Sequence, residues 1–183
     1  MTATTLDANT ALVLIDLQKG ITALPTFSPA TDVVARSAEL AAAFRARGLP
    51  VVLVNVTGGA PGRTQAGVGG GELPADWAEL VPEIDQRPGD ITVTKQQWGA
   101  FYGTGLDLEL RRRGITQVVL AGIATSIGVE STARAAHEHG YHVTIVTDAV
   151  TDMDADAHRN SIEKIFPRLG ELDSTKAVIG LLG

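Results

Sequence analysis

A chain of 183 residues, 44% hydrophobic and 20% charged, has the length and composition of one globular domain that buries a full core without staples. Its net charge of −6, with Lys and Arg spread along the chain, leaves no basic face for nucleic acid or an anionic membrane, so neither partner is expected. No apolar run approaches the ~20 residues that span a bilayer, Met1 to Thr10 lack a signal-peptide pattern, and a cytoplasmic location is the default expectation; the absence of cysteine excludes disulfides, thiolate metal sites and cysteine nucleophiles.

Thr10–Leu17 (TALVLIDL) is an apolar run containing one acid, the pattern of a strand buried on both faces. Pro29–Gly48 carries apolar residues at helical spacing and closes on Gly48; Pro50–Val56 reads as the second strand. Thr57–Gly71 holds seven glycines and a proline, so it is predicted to be a long loop. Pro74–Leu80 suggests a short helix and Asp90–Lys95 a third strand ending in a charge. Leu106–Arg113 is amphipathic, Gln117–Ala121 is a fourth strand, Ile127–Gly140 a helix, Tyr141–Thr147 a fifth strand, and Asp154–Leu169 a helix closed by Gly170. Ser174–Ile179 reads as a weaker sixth strand. Strand and helix alternating at ~30-residue spacing predict an α/β, three-layer, doubly wound and mostly parallel sheet of about six strands with helices on both faces. Residues 1–183 show no linker or repeat, so one domain is expected.

In such sheets the ligand lies beyond the carboxyl ends of the strands, at the point where strand order reverses. Asp16 ends the first strand, Lys95 ends the third, and the fourth runs into Gly122-Ile123-Ala124-Thr125-Ser126-Ile127-Gly128. A carboxylate, an ammonium and a helix N-terminus therefore converge on one rim. Taken singly, Asp16 reads also as a loop-bracing carboxylate and Lys95 as an exposed strand-end charge. The helix N-terminus near Ile127 offers backbone N–H groups to an anion, and Arg63 in the glycine-rich loop offers a bidentate grip on a carboxylate or is simply a solvated loop arginine. Gln65 is equally ambiguous. Trp98 and Phe101, just past Lys95, wall the pocket or belong to the core. His137 and His139 are two apart on a predicted helix and face different ways; with His142 and His158 they read as surface residues, and no metal ligand set is expected. Asp148 is expected to cap the loop after the fifth strand. Gly67-Val68-Gly69-Gly70-Gly71 lies too far from its strand to be a dinucleotide fingerprint, and no cofactor is implied.

Three motifs, ALVLIDLQKG, TVTKQQWGAFYGTGLDLELRRRGI and VVLAGIATSIGVESTARAAHEHGYHVTIVTDAVTD, resemble the acid, lysine and nucleophile segments of isochorismatase-like hydrolases, in that family's order and spacing. The resemblance implies that family's fold and a hydrolase with an Asp16, Lys95 and nucleophile-position triad. Most such enzymes are cysteine hydrolases acting on amides; here the nucleophile position is Gly128, which has no nucleophilic atom. Ser126, two residues earlier, is expected to point elsewhere. The isochorismatases proper also carry glycine there and cleave a vinyl ether by acid catalysis, which would make Asp16 a general acid with a raised pKa. Lys95 opposes that shift and burial favours it. The isochorismatases proper tend to carry tyrosine and histidine at the positions of Ala124 and Ser126, and the present loop is closer to that of the cysteine enzymes.

Three readings follow: a glycine-type hydrolase of a small, anionic substrate with a vinyl ether among the candidates, a catalytically silent binding protein, or a cysteine amidohydrolase whose nucleophile has been replaced. The resemblance also implies substrate contacts from Ala124, Thr125, Ser126 and Ile127, a cis bond between Ala124 and Thr125, and a homo-oligomer, dimer or tetramer. The apolar C-terminal stretch Val178–Leu182 is a candidate contact or a closure of the core. Zinc-binding members carry histidines after the first strand, and Gly20–Asp32 has none.

Overall fold

The computed structural model describes residues 2–65 and 73–183. Its strands are β1 (Thr10–Ile15), β2 (Val51–Val56), β3 (Ile91–Lys95), β4 (Gln117–Ile123), β5 (His142–Thr151) and β6 (Glu171–Asp173). They form one six-stranded sheet in the order β3-β2-β1-β4-β5-β6, with every pairing parallel. The order reverses between β1 and β4, and ligand sites of doubly wound sheets open beyond the carboxyl ends at such a reversal.

All six residues of β1 are buried, as its uninterrupted apolar run requires. Successive side chains then alternate between two cores. Val13 and Ile15 join Val52, Val54, Val118 and Leu120 on one face. Leu12 and Leu14 join Val51, Leu53, Val119 and Ala121 on the other. Helices α3 (Leu106–Arg112) and α4 (Glu130–Glu138) cover the first face through Leu106, Leu110, Ala133 and Ala136. The second is covered by α2 (Ala30–Ala46) and α6 (Thr175–Leu181) through Val33, Leu40, Phe44 and Val178. Short α1 (Lys19–Thr22) follows β1, and α5 (Ala155–Asn160) follows β5. Phe44 and Phe166 anchor opposite faces and are fully buried, so truncating either to alanine costs about 3–5 kcal/mol.

The three-layer arrangement agrees with the sequence reading; several elements within it differ. Pro74–Leu80 forms turns rather than a helix, because Trp77 and Glu79 give their carbonyls to the N–H groups of Gly20 and Lys19. Ser174–Ile179 belongs to a helix, not a strand. The Ser174 hydroxyl accepts the Ala177 N–H, and Asp148 accepts the Thr175 N–H at 2.7 Å, so two amides of the first turn are capped. The sixth strand is instead Glu171–Asp173. Within the C-terminal stretch, Val178 is fully buried and closes the core, whereas Leu181 is exposed. The helix expected over Asp154–Leu169 keeps α-geometry through Asn160, then widens over Ser161–Ile165 and tightens over Phe166–Arg168, where Pro167 cannot donate a backbone hydrogen bond. Residues Gly67–Gly71, read above as no dinucleotide fingerprint, lie outside the described residues. Among the described residues no helix is long and apolar enough to cross a membrane.

Candidate active site

The end of β1 places Asp16 at the strand-order reversal. Its backbone adopts φ 53°, the left-handed region, and its N–H bonds the Val54 carbonyl at 2.9 Å. Few side chains tolerate that conformation; aspartate is among the more tolerant, although the turn still disfavours an L-residue by roughly 1–2 kcal/mol. The conformation turns the chain out of the strand immediately before Leu17. Lys95, the last residue of β3, reaches the carboxylate across the rim: its Nζ donates to Asp16 Oδ2 at 2.7 Å and to the Gln97 carbonyl at 3.1 Å. Both are buried, Asp16 at 5% exposure and Lys95 at 2%.

The pair is incompletely satisfied. Asp16 Oδ1 is buried and accepts no hydrogen bond among the described residues. Burial raises the Asp16 pKa from 3.8 to about 6, against the charge and hydrogen bond of Lys95, which act to lower it. Of the two opposed effects, open at the level of sequence, burial is the larger.

Gly128 lies on a wide helical turn, Thr125–Val129, that leads from β4 into α4. A Cβ at this position would stand 3.2 Å from Asp16 Oδ2 and 2.9 Å from Ile15 Cγ2. The position therefore faces the carboxylate, and the branched Ile15 side chain closes on the space a larger residue would need. The cis peptide bond of this loop joins Ile123 and Ala124, one bond earlier than expected at Ala124–Thr125.

Around these groups is a cavity of about 220 Å³ whose wall includes Asp16, Lys95, Gln97, Trp98, Ala124, Ile127 and Gly128. Of the sequence-predicted residues, Asp16, Lys95, Trp98, Ala124, Ile127 and Gly128 are thus brought together. Phe101 is not among them: it is buried with Leu106 and Leu110 under α3 and contacts the rings of His139 and Tyr141. Arg63 is exposed and is not part of the cavity wall. Thr125 is fully buried behind the wall, its hydroxyl hydrogen-bonded to His158 Nδ1 at 2.8 Å, and Ser126 is likewise outside the lining.

At the entry to this helix three backbone N–H groups are engaged within the protein. The Ser126 N–H donates at 2.7 Å to Asp152 Oδ2, while the N–H groups of Ile127 and Val129 both return to the Ala124 carbonyl. Asp152 thus takes the Ser126 N–H, outside the cavity wall. Asp152 is 2% exposed and also accepts the Asp154 N–H.

Other residues of the site escaped the sequence reading. Trp77 forms wall and lies directly over Gly20, where any Cβ would fall 2.0 Å from the indole ring; glycine makes that approach possible. Ile21, Leu24 and Met153 complete the apolar wall. His158, read as a surface residue, is partly buried, stacks at 4.7 Å on Phe27 and braces Thr125, and burial lowers its pKa.

The parallel sheet, with an aspartate and a lysine meeting at its reversal and a turn into α4 beside them, defines an α/β hydrolase of the isochorismatase-like type. The isochorismatase domain model matches residues 10–177. An uncharacterized isochorismatase family protein of Bacillus subtilis, YwoC, is 49% identical over 174 residues, covering 91% of this chain and 90% of its own. A ureidoacrylate amidohydrolase of Methylobacterium radiotolerans is 30% identical over 209 residues, covering 96% of this chain and 80% of its own. The solved structure of an isochorismatase family protein from Burkholderia thailandensis superposes with a TM-score of 0.94 at 46% identity, covering 97% of both chains. This chain belongs to the isochorismatase family.

Proposed function

We propose that the protein hydrolyses a small, acid-labile substrate without a covalent enzyme intermediate, using Asp16 first as general acid and then as general base. The observation that carries this reading is a cavity-lining carboxyl group, raised to about pKa 6, whose Oδ1 is free of protein partners among the described residues while Oδ2 is held by Lys95. A carboxyl with that pKa is protonated often enough near neutrality to donate, and its conjugate base is strong enough to take a proton back. An enol ether suits it best. Protonation of the vinyl carbon by Asp16 gives an oxocarbenium ion; water adds to that ion while the Asp16 carboxylate takes the water proton. The resulting hemiketal collapses to a carbonyl compound and an alcohol. Lys95 orients the carboxyl group through Oδ2 throughout.

A second reading has its own support. The Cβ position at residue 128, 3.2 Å from Asp16 Oδ2, is where a nucleophile would meet its base, and amidohydrolases occur among the relatives. On that reading the chain is an amidohydrolase whose nucleophile has been replaced. Release of a carbonyl product from a panel of small enol ethers, lost in Asp16→Asn, supports acid hydrolysis. Amide turnover by Gly128→Cys, with the native protein inert on every enol ether, supports the second reading instead. Ligand binding with no turnover by either protein leaves a silent binder.

A further inference from the structure

We infer that Gln18, two residues beyond Asp16, is a positioning residue that sets the substrate size of this site by holding Trp77 in its wall. The role presupposes that the cavity of the proposed function is where substrate binds.

The need for Gln18 begins at Asp16. Along the first strand the N–H groups of Leu12 and Asp16 donate to the carbonyls of Pro50 and Val54, at 3.0 and 2.9 Å. Two residues further, the same register would join the Gln18 backbone to Val56. The left-handed turn at Asp16 carries the backbone out of the sheet first. Val56, the last residue of β2, is buried, and unpaired backbone groups are costly there. The Gln18 side chain supplies the missing rung. Its Nε2 donates to the Val56 carbonyl at 3.0 Å, and its Oε1 accepts the Val56 N–H at 2.8 Å.

An amide nitrogen carries two hydrogens, and Gln18 Nε2 also donates to the Trp77 carbonyl at 3.2 Å. That carbonyl accepts the Gly20 N–H at 3.0 Å as well. On either side, Lys19 N–H bonds the Glu79 carbonyl at 2.8 Å and Val81 N–H bonds the Leu17 carbonyl at 3.0 Å. The segment that carries Trp77 is therefore fastened to the four residues that follow Asp16. Its indole rests against Gly20, where a Cβ would fall 2.0 Å from the ring. Gln18 is fully buried, whereas Val56 and Trp77, the two residues it holds, line the cavity with Asp16. Of the two indoles in the wall, Trp98 is 63% exposed and Trp77 is half-buried, so Trp77 is the one with a fixed seat. In a cavity of about 220 Å³, below the ~300–1,000 Å³ of ordinary clefts, the place of one indole decides what fits.

Methyl, butyl and benzyl vinyl ether form a size series. Native kcat/KM should fall about tenfold or more from the methyl to the benzyl ether, and Trp77→Ala should remove most of that discrimination. Gln18→Met keeps the length of the side chain and loses its amide. It should raise the benzyl-to-methyl ratio about threefold in native protein, mainly through KM, and leave the ratio nearly unchanged in Trp77→Ala. An equal change in both backgrounds overturns the inference, because Gln18 would then act independently of Trp77. With Trp98→Phe, Trp77 is the sole tryptophan, and its quenching by acrylamide should rise about twofold in Gln18→Met or the milder Gln18→Asn. A cooperatively folded Gln18 variant with unchanged quenching and size preference also overturns it. Gly20→Ala leaves Gln18 intact and displaces the indole from the same seat, so it too should change the ratio; an unchanged ratio shows that the seat does not set size. If no ether is turned over, acid hydrolysis fails separately, and the size order is read from the thermal stabilisation that each ether gives. No stabilisation of native protein or Trp77→Ala by any ether at millimolar concentration overturns the inference as well.

Discussion

Two buried carboxylates at opposite ends of the sheet differ in how fully their oxygens are satisfied. Asp90, just before β3, receives Arg45 in a fork, from Nε at 3.0 Å and Nη2 at 2.7 Å, and the Arg87 N–H at 2.7 Å. Asp16, at the carboxyl end of β1, has one lysine on one oxygen and nothing on the other. Both side chains are nearly inaccessible, at 3% and 7%. Burial alone therefore does not identify the site. What distinguishes Asp16 is an unsatisfied oxygen on a side chain that lines a cavity, together with a pKa raised to about 6.

Volume misleads in the same way. A larger space of about 570 Å³ opens at the amino ends of β4 and β5, lined by Thr5, Asp7, Gln117 and Tyr141. Several of its polar groups are already engaged: Gln117 Oε1 accepts the Asp7 N–H, its Nε2 donates to Thr144, and Tyr141 donates to Asp107 at 2.7 Å. The smaller cavity is the candidate site because its wall includes Asp16, the carboxylate with an oxygen left unpaired among the described residues.

The sharpest way to break the comparison is to remove the arginine of the satisfied pair. Arg45→Ala is expected to cost about 2–4 kcal/mol in chemical denaturation, near the lower side of the value for breaking a buried pair because Arg45 is 20% exposed, with little effect on enol-ether turnover. A loss of enol-ether turnover comparable to that of Asp16→Asn would show that the two ends are not independent.

Asp16 itself predicts a pH signature. Its folded pKa is raised above the unfolded value, so its stabilising contribution is complete below about pH 3.8 and is lost as pH rises through about 6. Asp16→Asn lacks that loss. Its stability relative to native protein should rise by about 2–3 kcal/mol between pH 4 and pH 8, since each tenfold difference in proton affinity between the folded and unfolded chain is worth ~1.4 kcal/mol. A difference that is flat, or that runs the other way, would mean that the lysine outweighs burial.

Two smaller effects sharpen the picture of the loop between β4 and α4. Gly128→Cys should fold but lose about 1–3 kcal/mol, since Ile15 Cγ2 must move from 2.9 Å; an unchanged melting curve would show that the loop holds ready space for a nucleophile. His158→Ala should cost about 1 kcal/mol through the lost Thr125 hydrogen bond, and a neutral outcome would remove His158 as a brace.

Asp16 and Lys95 were legible because continuous apolar strands ended in charges, and the topology brings those ends to one rim. Asp152 was not. The sequence pattern ends the fifth strand at Thr147, where Thr147 and Asp148 are only half-buried, yet β5 continues past them to Thr151 after a register shift opposite Leu120 and Gly122. The true strand-end acid is therefore Asp152. Asp148, inside the strand, instead caps α6 through Thr175 and pairs with Arg36 at 3.1 Å. Trp77 reached the site through turns that no periodicity marks, and a single histidine on α5 gave no sign of its partner 33 residues away in Thr125. Phe101, one turn beyond Trp98 in sequence, went to the core because the chain turns inward at Ala100, whose N–H bonds the Thr132 hydroxyl.

The most direct test of the central claim is a carboxyl-carbon NMR titration of Asp16, assigned by its absence in Asp16→Asn. A midpoint near pH 6 is the result this account predicts. A midpoint at or below about 4, the ordinary aspartate value, would contradict it: Asp16 would then be a fully ionised partner of Lys95 with no proton to give near neutrality.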